Sequence, residues 1–356
     1  MGREELKRAI FELSAVPSVS GFEYRATDEI KRIYADSFDE IISDSVGNHT
    51  LIRRCSKEGA ARILVDAHFD EIGMLVSDVL DGGFLRIVNV GGIDPAIMQA
   101  SDVVVYGKST LRGVVMSVPP HLRAAENGKL APVNDLLVDV GLGYTKEELE
   151  ELVPIGSPVG YAPVYSEFGE GYLAGKSFDD KACGAIAASA VINTPREELA
   201  GDVYLCFSAR EEVSALGGIT PACVNLRPHY AMVIDVNLGA APDTPERETV
   251  ELGKGPSIAY SAATDRTLTR MTAELCRDKE IAFSPCANPS STGTNATSVN
   301  LVGAGIPVVD IGLPLRNMHT YNEVLLLDDC EALERLVKEF ICSTELAERF
   351  GKEVVL

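Results

Sequence analysis

Residues 61–73 read ARILVDAHFDEIG. The first seven are almost continuously apolar, the pattern of a strand covered on both faces. The run stops at His68, with Asp70 two residues on and a glycine-closed acidic turn beyond it. Open α/β sheets bind ligands beyond the carboxyl ends of their strands, so an imidazole at that position is suggestive. Alone, His-x-Asp is a weak signal and favours a hydrogen-bonded structural histidine over a ligand.

The flanking sequence supports a sheet with helices on both sides. Two amphipathic segments, REELKRAIFELSAV and YRATDEIKRIYADSF, precede the strands EIISDSV and HTLIRR. After residue 165 the chain alternates helix KACGAIAASAVI, strands VYLCFSA and YAMVIDV, helix ATDRTLTRMTAELCRDK, strand IPVVDIG and a closing helix DDCEALERLVKEFICSTELAERF. This alternation predicts a largely parallel or mixed sheet in an α/β fold. Between about residues 72 and 165 the texture differs. Short β-rich runs (GMLVSDV, GFLRIVNV, DVVVYG, LRGVVMSV, DLLVDVG) are separated by Gly, Pro and Asp turns, with one helical piece at TKEELEELV. Strands so closely spaced predict a small barrel or sandwich inserted into the larger fold. The expected division is therefore a domain of residues 1–71 and 166–356 interrupted by residues 72–165.

Composition narrows the partners. With 356 residues, 46% apolar and a formal charge of −21, the chain suits a large globular protein and disfavours nucleic acid or an anionic membrane surface. No run approaches the roughly 18 apolar residues of a membrane span, and MGREELKRAIFELSAV reads as a charged helix rather than a signal peptide. Eight cysteines, none in a CxxC, lie mostly among apolar neighbours, which predicts free thiols and a cytoplasmic location.

Other polar residues gather where apolar runs stop. Glu211 and Glu212 follow VYLCFSA, Asp235 ends YAMVIDV, and His319 follows PVVDIG and LPLRNMHT. Asp179 and Asp180 open a helix of small residues, where the dipole favours negative charge; capping explains one aspartate but not two. Of the other histidines, His49 and His229 read as surface or turn residues, and His121 in VPPHL has no role that chemistry alone assigns. Carboxylates and neutral imidazoles in this number exceed what a closed structural zinc takes. Three carboxylates and a hydroxide balance two dications, a pair able to polarise a carbonyl and generate hydroxide near neutral pH.

These residues resemble the glutamyl aminopeptidase or tetrahedral (TET) aminopeptidase family of co-catalytic dinuclear metallopeptidases. The likeness runs the whole length, through VSGFE, DSVGN, AHFDEIG, GVVMSVPPH, LLVDVG, GKSFDDKACG, REEVSALGG, IDV, LGKGPSI and LPLRNMHT. The resemblance implies a three-layer α/β/α catalytic domain with a mixed sheet and an inserted PDZ-like β-barrel used in oligomer contacts. It implies that Asp179 bridges two metals, that His68 and Asp235 complete one site, and that Glu212 and His319 complete the other. Glu211 would be the general base and Asp70 would orient His68, with a cis bond between Asp179 and Asp180. The metals would be two divalent ions per subunit, zinc first, with cobalt or manganese equally compatible with the ligands. The assembly would be a homo-oligomer, from a dimer up to a tetrahedral dodecamer. Lys181, Asn295 and Asn317 depart from the usual family residues, and the expectation is that they reshape substrate contacts.

The function so implied is removal of N-terminal residues from short peptides by a metal-bridging hydroxide. A metallo-deacylase or carboxypeptidase on the same constellation is the alternative, since one such site serves several amide substrates. A non-catalytic metal- or peptide-binding subunit is disfavoured, because every proposed ligand and Glu211 occur together.

Overall fold

The computed structural model describes residues 2–118, 132–213, 217–245 and 248–352; His121 lies outside them. The chain begins with α1 (Arg3–Ser14) and α2 (Thr27–Tyr34), followed by β1 (Glu40–Ser43), β2 (His49–Arg53) and β3 (Ala61–His68). Next come β4 (Gly73–Leu80), β5 (Phe84–Val90), α3 (Pro95–Met98), β6 (Asp102–Tyr106), β7 (Thr110–Val115), β8 (Leu137–Asp139), α4 (Lys146–Leu152) and β9 (Pro158–Tyr161). The return passes through β10 (Ser166–Phe168), β11 (Tyr172–Gly175), α5 (Phe178–Ile192), β12 (Gly201–Ser208), α6 (Ile219–Leu226) and β13 (Tyr230–Leu238). It finishes with β14 (Ser257–Ser261), α7 (Arg266–Asp278), β15 (Ser284–Asn288), α8 (Ala296–Asn300), β16 (Val308–Leu315), β17 (Glu323–Leu326), α9 (Leu327–Cys342) and α10 (Thr344–Phe350).

Eight strands make one mixed sheet in the order β1-β2-β12-β3-β13-β16-β14-β15. Its centre, β12-β3-β13-β16, is parallel, and β2 and β14 join it antiparallel on either side. Parallel strands need both faces covered. Alternate residues of β3 accordingly enter two separate cores: Ile63 and Val65 pack with α1, α5, α7 and α9, while Leu64 packs with α6 and α8. The result is the expected three-layer α/β/α fold. α1 presents Leu6, Ile10 and Leu13 at helical spacing to this core. α5 is rich in Ala, with Gly, Ser and Cys among its small residues, and is buried along its whole length up to Val191.

The β-rich insert closes into a barrel, β4-β5-β8-β7-β6-β9, with every neighbouring pair antiparallel. It has its own core, in which Met74, Leu85, Ile87, Val103, Val138 and Val159 are shielded together with Met98 of α3 and Leu149 of α4. Closure leaves no free sheet edge among the six described strands of the barrel. A further antiparallel sheet, β10-β11-β17, was not foreseen, and neither was α6. The closing helix is two helices. Ser343 takes non-helical torsions, and its Oγ accepts from Leu346 N at 3.3 Å to cap α10.

One buried ion cluster ties barrel and α/β domain together. Glu71, two residues before β4, receives hydrogen bonds from Lys176 Nζ, Ser177 Oγ, Lys181 Nζ (2.9 Å) and Ser18 N (3.1 Å). Burial alone would raise the Glu71 carboxyl, but Lys176 and Lys181 outweigh it and hold it down to about 2. Lys181 is fully buried and also donates to Val16 O at 2.6 Å. It therefore braces the fold and does not line a substrate surface. Removing one partner of such a pair strands the rest in low dielectric. Glu71→Gln is expected to lower stability by about 3–5 kcal/mol, read as a shift in the denaturant midpoint; an unchanged midpoint would show that the cluster contributes nothing.

Candidate metal centre

Five chain segments converge at the carboxyl edge of the sheet. His68 is the last residue of β3, in register with Ser208, the last of β12. Glu211 and Glu212 lie just beyond β12, Asp235 lies in β13, His319 follows β16, and Asp179 and Asp180 stand in the first turn of α5. The Asp179–Asp180 peptide is cis, and both residues have non-helical torsions, so the regular helix starts after them.

The side chains form two groups that share one carboxylate. His68 Nε2 lies 3.0 Å from Asp179 Oδ1 and 3.7 Å from Asp235 Oδ1. His319 Nε2 lies 3.4 Å from Asp179 Oδ2 and 3.2 Å from Glu212 Oε2. Within each group, His68–Asp179–Asp235 and Asp179–Glu212–His319, the donor atoms lie within 4.8 Å of one another. The two oxygens of Asp179 thus face different histidines.

Such crowding of buried acids is costly unless cations or protons intervene. Burial pushes the Glu212 carboxyl up to about 7 and raises Asp235 and Glu211, while neighbouring acids add to the effect. Hydrogen bonds to Asp179 and Glu212 pull the His319 imidazole up to about 11. Burial opposes a proton on His68, but Asp179 and Asp70 overcome it. Divalent cations held among these donors would relieve the same crowding. The donor set of oxygens and imidazoles, with no thiolate, suits two such cations sharing Asp179.

A second ring of acids holds the first by its backbone. His68 Nδ1 faces the Asp70 carbonyl at 3.1 Å and its carboxylate at 3.6 Å. The Asp70 carboxylate is instead engaged by Glu211 N (3.0 Å) and Glu212 N (3.1 Å). Asp180 Oδ2 accepts from His68 N at 3.1 Å. Glu323 accepts from Asp179 N and from His319 N, both at 3.1 Å. Glu23 accepts from Arg210 N at 3.0 Å, and Asn48 Oδ1 from Ala209 N at 2.9 Å, so the approach to the Glu211–Glu212 turn is fixed from below. The sequence reading had not singled out Glu23, Asn48 or Glu323. Glu323 stands four residues after His319 at the start of β17, and that spacing was its only signal.

One histidine is placed otherwise than expected. His49 is fully buried, with Nδ1 2.8 Å from Ser43 Oγ and Nε2 3.1 Å from Glu23 O. Pairing of β2 with β12 carries it inside, so it is a core residue, not a surface one. His229 is half-buried and its Nδ1 accepts from Arg62 N at 2.8 Å. Asn295 is also buried, donating to Asp66 Oδ2 and Ser208 Oγ, both at 2.9 Å. The barrel reaches the centre as well. A Cβ on Gly92 would stand 3.1 Å from His319 Nδ1, and one on Gly91 would stand 3.6 Å from Glu212 Cβ.

Residues 47–336 match the M42 glutamyl aminopeptidase family. The chain is 30% identical to a lysyl aminopeptidase of Pyrococcus furiosus, over 95% of this chain and 96% of that protein. A TET aminopeptidase from a marine sediment thaumarchaeon superposes with a TM-score of 0.88 at 27% identity, covering 98% of this chain and 99% of that one. The Pyrococcus horikoshii TET1 peptidase, described as assembling into a tetrahedron or a large octahedral shell, gives 0.82 at 29% identity over 94% and 99%. The resemblance carried by AHFDEIG, GKSFDDKACG and REEVSALGG is borne out, and the chain belongs to the M42 glutamyl aminopeptidase family.

Proposed function

We propose that this chain, a metal-dependent aminopeptidase, removes N-terminal residues from short peptides with Glu211 as general base. The observation that carries the reading is the division of Asp179, one oxygen toward His68 and the other toward His319. On this reading His68 and Asp235 hold one cation, Glu212 and His319 the other, and Asp179 both. Two divalent cations, when bound, polarise the scissile carbonyl and acidify a water. Zinc is the first choice, and the ligands suit cobalt or manganese too.

Glu211 belongs to neither ligand group, yet its backbone is fixed beside Glu212 by the same Asp70 carboxylate. Burial raises its carboxyl, which makes the carboxylate a better base. It takes the proton of the attacking water and returns it to the leaving amine. Asp70 positions both His68, through its carbonyl, and the glutamate pair, through its carboxylate. The adjacent acids therefore have separate tasks, one facing metal and the other water.

We further propose a homo-oligomer built through the inserted barrel, with residues 72–165 as the assembly domain and residues 1–71 and 166–356 as the catalytic one. On the barrel side Leu142 and Ile155 are 89% and 70% exposed, which leaves both side chains available to a partner subunit. The location proposed is cytoplasmic. Among the described residues no helix is long and apolar enough to cross a membrane.

Metal-stripped protein should hydrolyse aminoacyl anilides only after a divalent cation is restored, and should leave N-acetyl analogues intact; cleavage of the blocked substrates would instead mark a deacylase. Glu211→Gln should keep both metals and lower kcat about 10²–10⁴-fold. Glu212→Gln should lose or weaken one metal, with activity partly regained in excess cation. Metal stoichiometry and turnover decide it, and loss of a metal from Glu211→Gln would overturn the assignment of roles. Leu142→Asp and Ile155→Asp, made separately, should each reduce oligomer mass in light scattering while metal content persists. An unchanged mass in both would remove these residues from the interface.

A further inference from the structure

A cavity of about 480 Å³ opens beside the metal centre on the face of the sheet between β13 and β15. That volume falls within the roughly 300–1,000 Å³ of small-molecule sites. Its wall begins with Val236, the residue after Asp235, and includes Gly312, which pairs with Asp235 in register. A Cβ on Gly312 would stand 2.7 Å from both Asn237 Nδ2 and Ser257 Oγ, so the glycine keeps this end open. A peptide whose first carbonyl sits at the metal centre would have its first side chain next to this recess.

The inner wall carries a buried acid. Asp310 is 4% exposed, and the one hydrogen bond to its carboxylate among the described residues comes from Thr294 Oγ1 at 3.0 Å. Burial pushes its carboxyl up to about 7, against the pull of Thr294. Unlike Glu71, it pairs with no buried lysine among the described residues. Asn237 lines the same cavity; its Nδ2 donates to Ser257 Oγ at 2.6 Å, and its Oδ1 is buried with no donor. Both groups therefore offer acceptors that a purely donating ligand would satisfy. At the rim Glu248 and Glu251 outnumber Lys254, and all three are exposed.

We propose that this cavity receives the side chain of the substrate's N-terminal residue and selects lysine or arginine, with the Asp310 carboxylate as the specificity-determining group. The inference rests on the aminopeptidase reading above and adds the substrate class. Length supports it: Asp310 precedes Gly312 by two strand residues, about 7 Å deeper along β16 than the level of Asp235. A short side chain ends before that depth, and an extended cationic one reaches it. An acidic side chain would meet Asp310 as a like charge where water is scarce. A leucine side chain would leave the acceptors of Asp310 and Asn237 unpaired.

The test is a panel of lysyl, arginyl, leucyl and glutamyl p-nitroanilides on metal-loaded wild type and Asp310→Asn, an isosteric change that keeps the Thr294 hydrogen bond. Wild type should favour the two basic anilides. Asp310→Asn should shrink the lysyl-to-leucyl ratio of kcat/KM by roughly 10–100-fold, as expected when one partner of a buried charge-assisted hydrogen bond is removed. A wild-type preference for leucyl or glutamyl substrate, or an unchanged ratio in the variant, overturns the proposal. Calorimetric binding of lysinamide and leucinamide reads the pocket without turnover. Tighter lysinamide binding that Asp310→Asn abolishes supports the proposal even if no anilide is cleaved, in which case the aminopeptidase reading alone fails. Equal binding of the two amides overturns the pocket assignment whatever the turnover.

Discussion

Asp179 has to face two imidazoles at once, and much of the α/β domain is arranged so that it can. A carboxylate serves two neighbours only if its oxygens diverge toward them and its backbone is held still. The first condition is met by placing it at the head of α5, under the carboxyl ends of β3 and β13 on one side and the segment after β16 on the other. The second is met by Glu323, which accepts from the Asp179 backbone and from that of His319. One carboxylate thereby locks the shared acid and a histidine of one group into a single frame. The parallel centre of the sheet then sets the spacing between the two groups.

The same device recurs around the centre. Asp70 accepts from the backbone of Glu211 and Glu212, Asp180 from that of His68, and Glu23 from that of Arg210. Backbone N–H groups at turns are fixed dipoles with little entropy left to lose, so an acid bonded to them holds a loop firmly. Side chains of the inner ring are then free to turn toward cations. Asn48 reinforces this by donating to Gly218 O and accepting from Ala209 N, which fixes the loop carrying both glutamates at its two ends.

This layering explains what was legible in the sequence. Apolar runs that stop at a polar residue mark strand ends, so β3 with His68, β12 with the glutamates and β13 with Asp235 could all be read, and with them the α/β class. The barrel announced itself by the spacing of its turns. His49 could not be read in the same way, because its burial comes from the pairing of β2 with β12, far apart in sequence. Nor could Glu323, whose partners are the backbones of Asp179 and His319. The approach of Gly91 and Gly92 to the centre is likewise a product of how the barrel docks. Lys181 and Asn295, expected at the substrate surface because they depart from the family pattern, are buried. Lys181 joins the Glu71 cluster, and Asn295 meets Asp66 and Ser208.

Buried acids in this chain fall into kinds that differ by what compensates them. Glu71 is neutralised by two lysines, and its carboxyl is held low. Asp70, Asp180 and Glu323 receive backbone N–H groups. Asp179, Glu212 and Asp235 face imidazoles and one another, and Asp310 faces a single threonine hydroxyl. Glu71 and Asp70 are met by partners within the folded chain, whereas Asp180 keeps one buried oxygen without a partner, and burial raises both its carboxyl and that of Glu323. Within the last kind, Asp179 is offset by its two histidines, but burial raises the carboxyls of Glu212, Asp235 and Asp310 beyond what their folded-state partners offset. Selection for stability alone would replace such residues, so their presence marks places where something from outside the chain completes the charge balance. At Glu212 and Asp235 the proposed metals would do so, and at Asp310 the same reasoning calls for a cation carried by the substrate.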